Sequence, residues 1–374
     1  MIRSLSPDER FMLEAFRLAK KGEGSVSPNP MVGALIVNEG QIVGRGHHRR
    51  AGEPHAELLA LQQAGPKARG ASLYVNLEPC CHQGRTPPCV DAIIQAGISR
   101  VVAGAQDANP LVNGAGFKLL RAAGVAVMKG CLESRARDLN EIFFTYITKN
   151  RPFIIAKVAM SLDGKMATAT GESKWITTQM SRHFSYKLRR NVDAIMVGVN
   201  TVLADDPELL RRPSRTSPPR PFTRIIVDTG LRTPPWSRIF RTARTHPVLL
   251  LCGSNASQRR RQTLEKTGAT VLPCAVKDSR VNFPEALREL ADRQITSVIL
   301  EGGAEMLGTA FDHRLVDKVI FFVAPKIIGG TKAISPVAGK GARMMSDAIP
   351  VTDVKWMRAG SDMVVSGRPA YRDR

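Results

Sequence analysis

His55, Glu57, Cys80 and Cys89 are the residues whose types and spacing most plainly allow chemistry. One imidazole and two thiols are soft ligands for Zn²⁺, and three protein ligands leave a fourth position for water. Zinc lowers the pKa of such a water towards neutrality, which readies it to attack a ring carbon. Glu57 is a carboxylate two residues beyond the histidine, able to carry a proton from that water to a leaving amine. Cys81 stands beside Cys80, but two adjacent thiols cannot share one tetrahedral vertex, and Pro79 marks Cys80 as the ligand. Taken singly, His55 and Glu57 would be an exposed helix start and the cysteines small buried hydrophobes. Taken together, in this order, they read as a catalytic zinc site.

The elements that must position these groups are also written in the chain. Pro54 marks a helix start, and residues 55–61 read as a helix with a buried stripe. In such a helix Glu57 lies about 200° round from His55, so it approaches the water from the exposed side of the metal. Residues 72–75 read as a strand, out of which Leu77-Glu78-Pro79-Cys80 turns. Pro88 opens a second helix over 89–94, and a thiol at a helix N-terminus is favoured as thiolate. Earlier, Ser6-Pro7-Asp8-Glu9 is a capping box that opens a helix to about Lys21. Val32–Val37 and Gln41–Gly46 are short strands joined at Asn38-Glu39-Gly40, a hairpin signal. Strands over 100–103 and 125–128, with a helix over 116–123 between them and a helix over 132–148 after them, continue the alternation. Strands separated by helices imply a layered, largely parallel α/β sheet. Asn150-Arg151-Pro152 is the expected boundary, giving domains 1–150 and 151–374.

The second half starts a new α/β pattern with Phe153–Val158, read as a continuous apolar strand of a parallel sheet. Residues 160–165 and 171–177 are loops rich in small hydroxyl residues, suited either to binding sugars or phosphates or simply to turning the chain. A helix to about Arg190 precedes a strand over 193–198, and 211–224 is a proline- and arginine-rich exposed loop. Ser297–Gly303 reads as a buried strand ending in two glycines that feeds a helix over 304–311. That layout cradles a pyrophosphate on free backbone N–H groups. The full G-x-G-x-x-G fingerprint is missing, so a Rossmann domain is not indicated.

Composition suits a cytoplasmic enzyme. The 374 residues are enough for two cored domains, and no apolar run approaches a membrane span. The start runs straight into a helix without a secretory leader, so the six cysteines point to thiol ligation in a reducing compartment rather than to disulfides. The net charge is +21: residues 1–150 carry 18 Lys and Arg against 13 Asp and Glu, the remainder 36 against 20. A basic face can neutralise nucleic-acid phosphates. With aromatics at only 5%, stacking platforms for single strands are sparse, and a basic surface around phosphate-bearing small substrates is the better reading.

Eight residues separate Cys80 from Cys89, where nucleic-acid editing deaminases have two. The insert brings Arg85 and hydrogen-bond donors over the mouth of the site, which suits an anionic small molecule. Here the sequence resembles a known family. Glu78–Cys89, with His55-Ala56-Glu57 upstream, is similar to the deaminase half of the bifunctional riboflavin-biosynthesis deaminase/reductases, except that Cys81 stands where the family usually has serine. Pro28–Gly33 and Gly44–His48 resemble that family's early motifs. Ser161–Lys165, Gly171–Thr177, Thr201–Pro207, Leu300–Gly303 and Val323–Lys326 resemble its reductase half.

The resemblance implies a cytidine-deaminase-like three-layer α/β domain followed by a dihydrofolate-reductase-like α/β domain that uses NADPH. It implies zinc-dependent deamination of a phosphoribosylamino-bearing diaminopyrimidinone, then reduction of the ribosyl to a ribityl chain. By motif, Met160, Trp175, Thr201, Asp205 and the turn from Gly303 would lie on NADPH. Ser173, Arg189, Leu209, Arg212 and Glu301 would hold the phosphoribosyl substrate, and Asn29, His48 and Arg85 the pyrimidine or its phosphate in the first domain. Where the family has Leu-Thr-Val-Arg this chain has Leu209-Leu210-Arg211-Arg212, so either arginine is a candidate for the phosphate. The lesser alternative for His48 is a surface histidine beside Arg49 and Arg50, and Asp205 is either a proton carrier or structural. The implied partners are small phosphorylated pyrimidines, not nucleic acid or membrane, with a homo-oligomer left open. Two other classes compete: an editing deaminase, and a nucleic-acid-binding protein whose structural zinc is completed by His82 or Cys81.

Overall fold

The computed structural model describes residues 4–83, 87–211 and 221–372, so Arg85 and Arg212 lie outside the described residues. The chain divides into two compact units, Met1–Asn150 and Arg151–Arg374.

The first unit opens on the helix Pro7–Ala19, where the Ser6 hydroxyl accepts from the Glu9 N–H and the Glu9 carboxylate from the Ser6 N–H. Five strands follow: β1 (Gly33–Asn38), β2 (Gln41–His47), β3 (Ser72–Leu77), β4 (Arg100–Ala105) and β5 (Ala126–Lys129). They lie in the order β2-β1-β3-β4-β5. β3, β4 and β5 are parallel, whereas β1 runs antiparallel to both β2 and β3. The sheet is therefore mixed rather than largely parallel. Glu39 and Gly40 sit at φ 48° and 76°, a tight turn that folds β2 back on β1. The helix Ala56–Ala64 then crosses over, so that β3 runs with β2 and against β1.

Strand alternation sorts the core into three layers. Ala34, Ile36, Leu73, Val75, Val101 and Ala103 face the helices Ala56–Ala64, Cys89–Gln95 and Ala115–Ala122. Leu35, Val37, Tyr74 and Val102 face Met12 and Ala15 of the first helix. The expected single helix over 132–148 is two, Glu133–Leu139 and Glu141–Lys149, broken at Asn140 (φ −110°, ψ 27°). The buried Asn140 side chain accepts from the Met31 N–H (2.8 Å) and donates to the Met31 carbonyl (3.0 Å). Buried Asn76 donates to that carbonyl (2.8 Å) and accepts from the Gly33 N–H (2.8 Å). Two carboxamides thus secure the turn that presents Asn29.

The second unit contains β6 (Phe153–Ser161), β7 (Ala194–Gly198), β8 (Thr223–Val227), β9 (Val248–Gly253), β10 (Thr270–Cys274), β11 (Val276–Lys277), β12 (Arg280–Val281), β13 (Ser297–Glu301), β14 (Lys318–Ala324), β15 (Val351–Ala359) and β16 (Asp362–Pro369). β11 and β12 form a small ribbon, and the rest one sheet ordered β10-β9-β8-β7-β13-β6-β14-β16-β15. It is parallel from β10 to β14 and antiparallel over β16 and β15. The core packs the helices Phe283–Asp292 and Ala304–Asp312 against Ile154, Ala156, Val298 and Leu300. β6 is not the continuous apolar strand expected, because Lys157 interrupts it with a largely buried side chain that pairs with Glu301.

Asn140→Ala would leave the Met31 N–H without its acceptor and should lower stability by about 2 kcal/mol. An unchanged urea midpoint for the first unit's transition would show that the Asn76 clamp suffices by itself.

Candidate active sites

In the first unit three chain segments end at one place. β3 runs out through Glu78-Pro79 to Cys80; Pro88 precedes the helix that starts at Cys89; His55, extended at φ −71° and ψ 160°, is the N-cap of Ala56–Ala64. His55 therefore precedes its helix rather than lying on it, and Glu57 at the second helical position turns inward beside it. His55 Nδ1 lies 3.2 Å from Cys89 Sγ and 3.4 Å from Cys80 Sγ, and the three ligand atoms fall within 4.8 Å of one another. The Cys89 N–H points at Cys80 Sγ (3.4 Å), and the Val90 N–H donates to the Cys80 carbonyl (3.2 Å). Hydrogen bonding from Cys89 and His55, against the opposing effect of burial, holds the Cys80 thiol well below its usual range and favours its thiolate. Its partner Cys89 is pushed up in turn, chiefly by the same contact, and the Cys80 contact raises His55. One imidazole and two thiols, one of them favoured as thiolate, are a donor set that fits Zn²⁺, which would displace the protons they share. Among the described residues the cluster comprises these three. Cys81 turns away to the Leu111 carbonyl (3.8 Å).

Glu57 is buried and its Oε2 has no hydrogen-bond partner. Burial first, then the negative charge of Cys80, pushes its carboxyl up to about 7, the range in which a group can both take and give a proton at neutral pH. Asn29 and His48 meet beside this centre, Asn29 Nδ2 lying 3.1 Å from His48 Nε2. His48 Nδ1 lies 3.3 Å from the Pro54 carbonyl, and its ring meets His55 edge-on at 5.4 Å. Only 2% of His48 is exposed, so it is not a surface histidine, and burial lowers its pKa towards the neutral form.

In the second unit the sequence motifs gather at the carboxyl ends of β6, β7 and β13. Glu301, closing β13, pairs with Lys157 (2.9 Å) and Arg189 (2.6 Å). Burial opposes its ionisation, but the two cations outweigh that and hold the carboxyl at about 2. Arg189 also donates to the Leu210 carbonyl (3.0 Å), which brings it beside Leu209, a buried leucine at φ 53°. Such a left-handed leucine costs about 1–3 kcal/mol and needs surroundings that enforce it. Arg211 donates to the carbonyls of Arg189 (2.9 Å) and Val192 (2.7 Å) and stacks on Phe222, so its guanidinium is occupied within the protein.

Gly302 and Gly303 (φ 70° and 74°) turn β13 into the helix Ala304–Asp312. A Cβ on Gly303 would stand 3.6 Å from Thr201 Oγ1, so the glycine turn and Thr201 share one wall. Asp205 ends the helix Val199–Asp205, one turn on from Thr201. Met160 lines a cleft of about 1740 Å³ on the sheet face. Trp175 is largely exposed, with the Arg182 guanidinium 4.4 Å from its ring centre, and its carbonyl accepts from Lys326 Nζ (2.7 Å). Ser173 lies half-buried in the same loop. Asp163 accepts from the Ser161 hydroxyl (2.6 Å) and the Ile328 and Gly329 N–H groups (3.1 and 2.7 Å), joining the motif at 161–165 to the segment that follows Val323–Lys326. Lys157 is the residue that sequence reasoning passes over; its signal was a lone lysine inside an apolar strand.

The comparisons with known proteins span this whole arrangement. Residues 5–105 match the family described as the cytidine and deoxycytidylate deaminase zinc-binding region, and residues 152–365 the RibD C-terminal domain. The chain is 43% identical over 367 residues to the riboflavin biosynthesis protein RibD of Aquifex aeolicus, covering 98% of this chain and 99% of that one. It is 40% identical over 334 residues to RibD of Escherichia coli, covering 86% and 89%. Acinetobacter baumannii RibD superposes with a TM-score of 0.85 at 34% identity over 98% of this chain and 99% of that chain. The Thermotoga maritima diaminohydroxyphosphoribosylaminopyrimidine deaminase/5-amino-6-(5-phosphoribosylamino)uracil reductase superposes at 0.82 with 36% identity, over 97% and 99%. A cytidine-deaminase-like domain is thus followed by a reductase domain of dihydrofolate-reductase-like fold, and the chain belongs to the RibD family of riboflavin biosynthesis proteins.

Proposed function

We propose that this chain performs two successive steps of riboflavin biosynthesis, deamination by residues 1–150 and reduction by residues 151–374. The observation that carries the reading is the convergence of His55, Cys80 and Cys89 beside buried Glu57, whose Oε2 has no hydrogen-bond partner. Zinc, when held by the three, supplies an acidified water for attack on the amine-bearing ring carbon of the diaminopyrimidinone. Glu57 takes a proton from the water and returns it to the departing amine, so that water is consumed, ammonia leaves and an aminouracil results. Asn29 and His48 orient the ring, and Arg85 meets the phosphate.

In the second domain NADPH, when bound, supplies a hydride to the carbonyl carbon of the opened ribose. Gly303 and the following N–H groups, with Met160, Trp175, Thr201 and Asp205, hold the cofactor. Glu301, Arg189, Ser173, Leu209 and Arg212 hold the phosphoribosyl substrate, with Lys157 completing the charge set around Glu301. Since Arg211 is occupied by backbone carbonyls, Arg212 is the arginine for the phosphate. Asp205 is the candidate for the proton that the carbonyl oxygen receives.

Thiol ligation suits a reducing cytoplasm, and among the described residues no helix is long and apolar enough to cross a membrane. The small phosphorylated pyrimidine, rather than nucleic acid, is the substrate, in keeping with the eight-residue insert. Two copies associate along β15, an edge strand whose Val351, Val354, Trp356 and Met357 are exposed.

Purified protein should release ammonia from the diaminopyrimidine without NADPH and form the ribityl product only with it. Glu57→Gln should keep zinc while ammonia release falls by about 10²–10⁴-fold; unchanged turnover would remove Glu57 from the mechanism. Cys80→Ser should lose zinc and deamination yet still reduce pre-formed aminouracil, and equal loss of both activities would argue against separate sites. Light scattering should find a dimer that Trp356→Asp dissociates; a monomeric wild type would discard the edge-strand association.

A further inference from the structure

Glu78 lies in the turn that delivers Cys80, and neither proposed reaction uses it. It is buried, and its carboxylate accepts three backbone N–H groups: Asp107 (3.1 Å) and Gly114 (3.0 Å) on Oε2, and Phe117 (3.3 Å) on Oε1. Its own N–H donates to the Ala105 carbonyl (2.9 Å) at the end of β4. Gly114 is the N-cap of the helix Ala115–Ala122 and has no side chain to accept from that helix's first N–H groups. Glu78 supplies the acceptor from another segment, where a carboxylate is favoured by the helix dipole and by charge-assisted bonds.

The same helix presses back on the turn. A Cβ on Gly116 would overlap the Pro79 carbonyl and stand 3.1 Å from Glu78 Oε1. Cys81 Sγ meets the Leu111 carbonyl on the loop that Glu78 gathers (3.8 Å). On its other side the turn is bound by the Val90 N–H to the Cys80 carbonyl. The segment bearing Cys80 is therefore gripped between two helix starts, and Glu78 ties one of them.

We propose that Glu78 is a positioning residue for the metal centre: by tying the Asp107–Phe117 segment to the Pro79–Cys80 turn, it sets Cys80 Sγ in register with His55 and Cys89. The proposal rests on reading those three as the zinc ligands. A shift of the turn would move a thiolate whose vertex the other two ligands cannot adjust to cover, and groups that orient ligands without touching the metal change affinity about 10–100-fold.

Glu78→Gln preserves volume but turns an amide NH₂ towards backbone N–H groups that need an acceptor. Zinc affinity would be read by competition with a chromophoric chelator, and ligand geometry by the thiolate-to-metal charge-transfer band of the Co²⁺-substituted protein. We expect zinc about 10–100-fold weaker and a shifted Co²⁺ band, with circular dichroism of the metal-free chain unchanged. Gly116→Ala, whose added methyl pushes the Pro79 carbonyl and crowds the Glu78 carboxylate, should shift the same band, and it decides alone if the glutamine variant fails to fold. Wild-type affinity and spectrum in both variants would overturn the proposal, as would a zinc loss that only matches loss of the metal-free fold. A wild-type chain that binds no zinc would overturn the ligand reading itself, a result separable from the others because it precedes any substitution.

Discussion

Two cysteine sulfurs and an imidazole are brought within 4.8 Å of one another beside a buried carboxylate, and the first domain is arranged around that requirement. Charges and donors this close repel or compete unless a cation or shared protons bind them. The fold meets the requirement with chain ends rather than with a helix face: one ligand leaves β3 and two stand at helix starts. Helix starts offer free N–H groups, which favour the anionic form of sulfur. Their closeness also depends on β2 carrying glycine, because a Cβ on Gly46 would overlap the Ala56 carbonyl and push away the helix that bears Glu57.

The second domain handles charge differently. Glu301 is buried as an anion because Lys157 comes from the neighbouring strand and Arg189 from the end of a helix, one on each carboxylate oxygen. From Arg189 the network runs on through Leu210 and Arg211, and it holds Leu209 in a conformation a leucine rarely adopts. Removing one cation would leave the carboxylate under-compensated in a dry setting, so charge pairing and backbone shape stand or fall together there. Asp163 plays the corresponding part for the loops, gathering N–H groups from a segment far along the chain.

Most of the first domain's elements were legible because strand alternation, proline at helix starts and the Ser6–Glu9 capping box are local signals. The mixed sheet was not, because the direction of β1 depends on which neighbour the crossover helix carries the chain to. The break at Asn140 was hidden for a similar reason: the residue leaves the helix to pair with Met31, more than a hundred positions away. His48 stands in a basic run with Arg49 and Arg50, which left a surface histidine as the alternative to its motif role, and packing against Pro54 and His55 makes it a buried partner of Asn29. Lys157 was overlooked because a strand's hydrophobic average conceals one charge whose partner lies on another strand.

Residue types and their spacing were enough to pick out the cluster of His55, Cys80 and Cys89, Glu57 beside it and the glycine turn, since donor chemistry and local backbone preference belong to short stretches of chain. What occupies the Arg211 guanidinium, which way β1 runs, what neutralises Glu301 and what steadies the Cys80 turn were decided by tertiary structure alone. Each of those is a relation between segments distant in sequence, and burial sets its energy by removing water from between them.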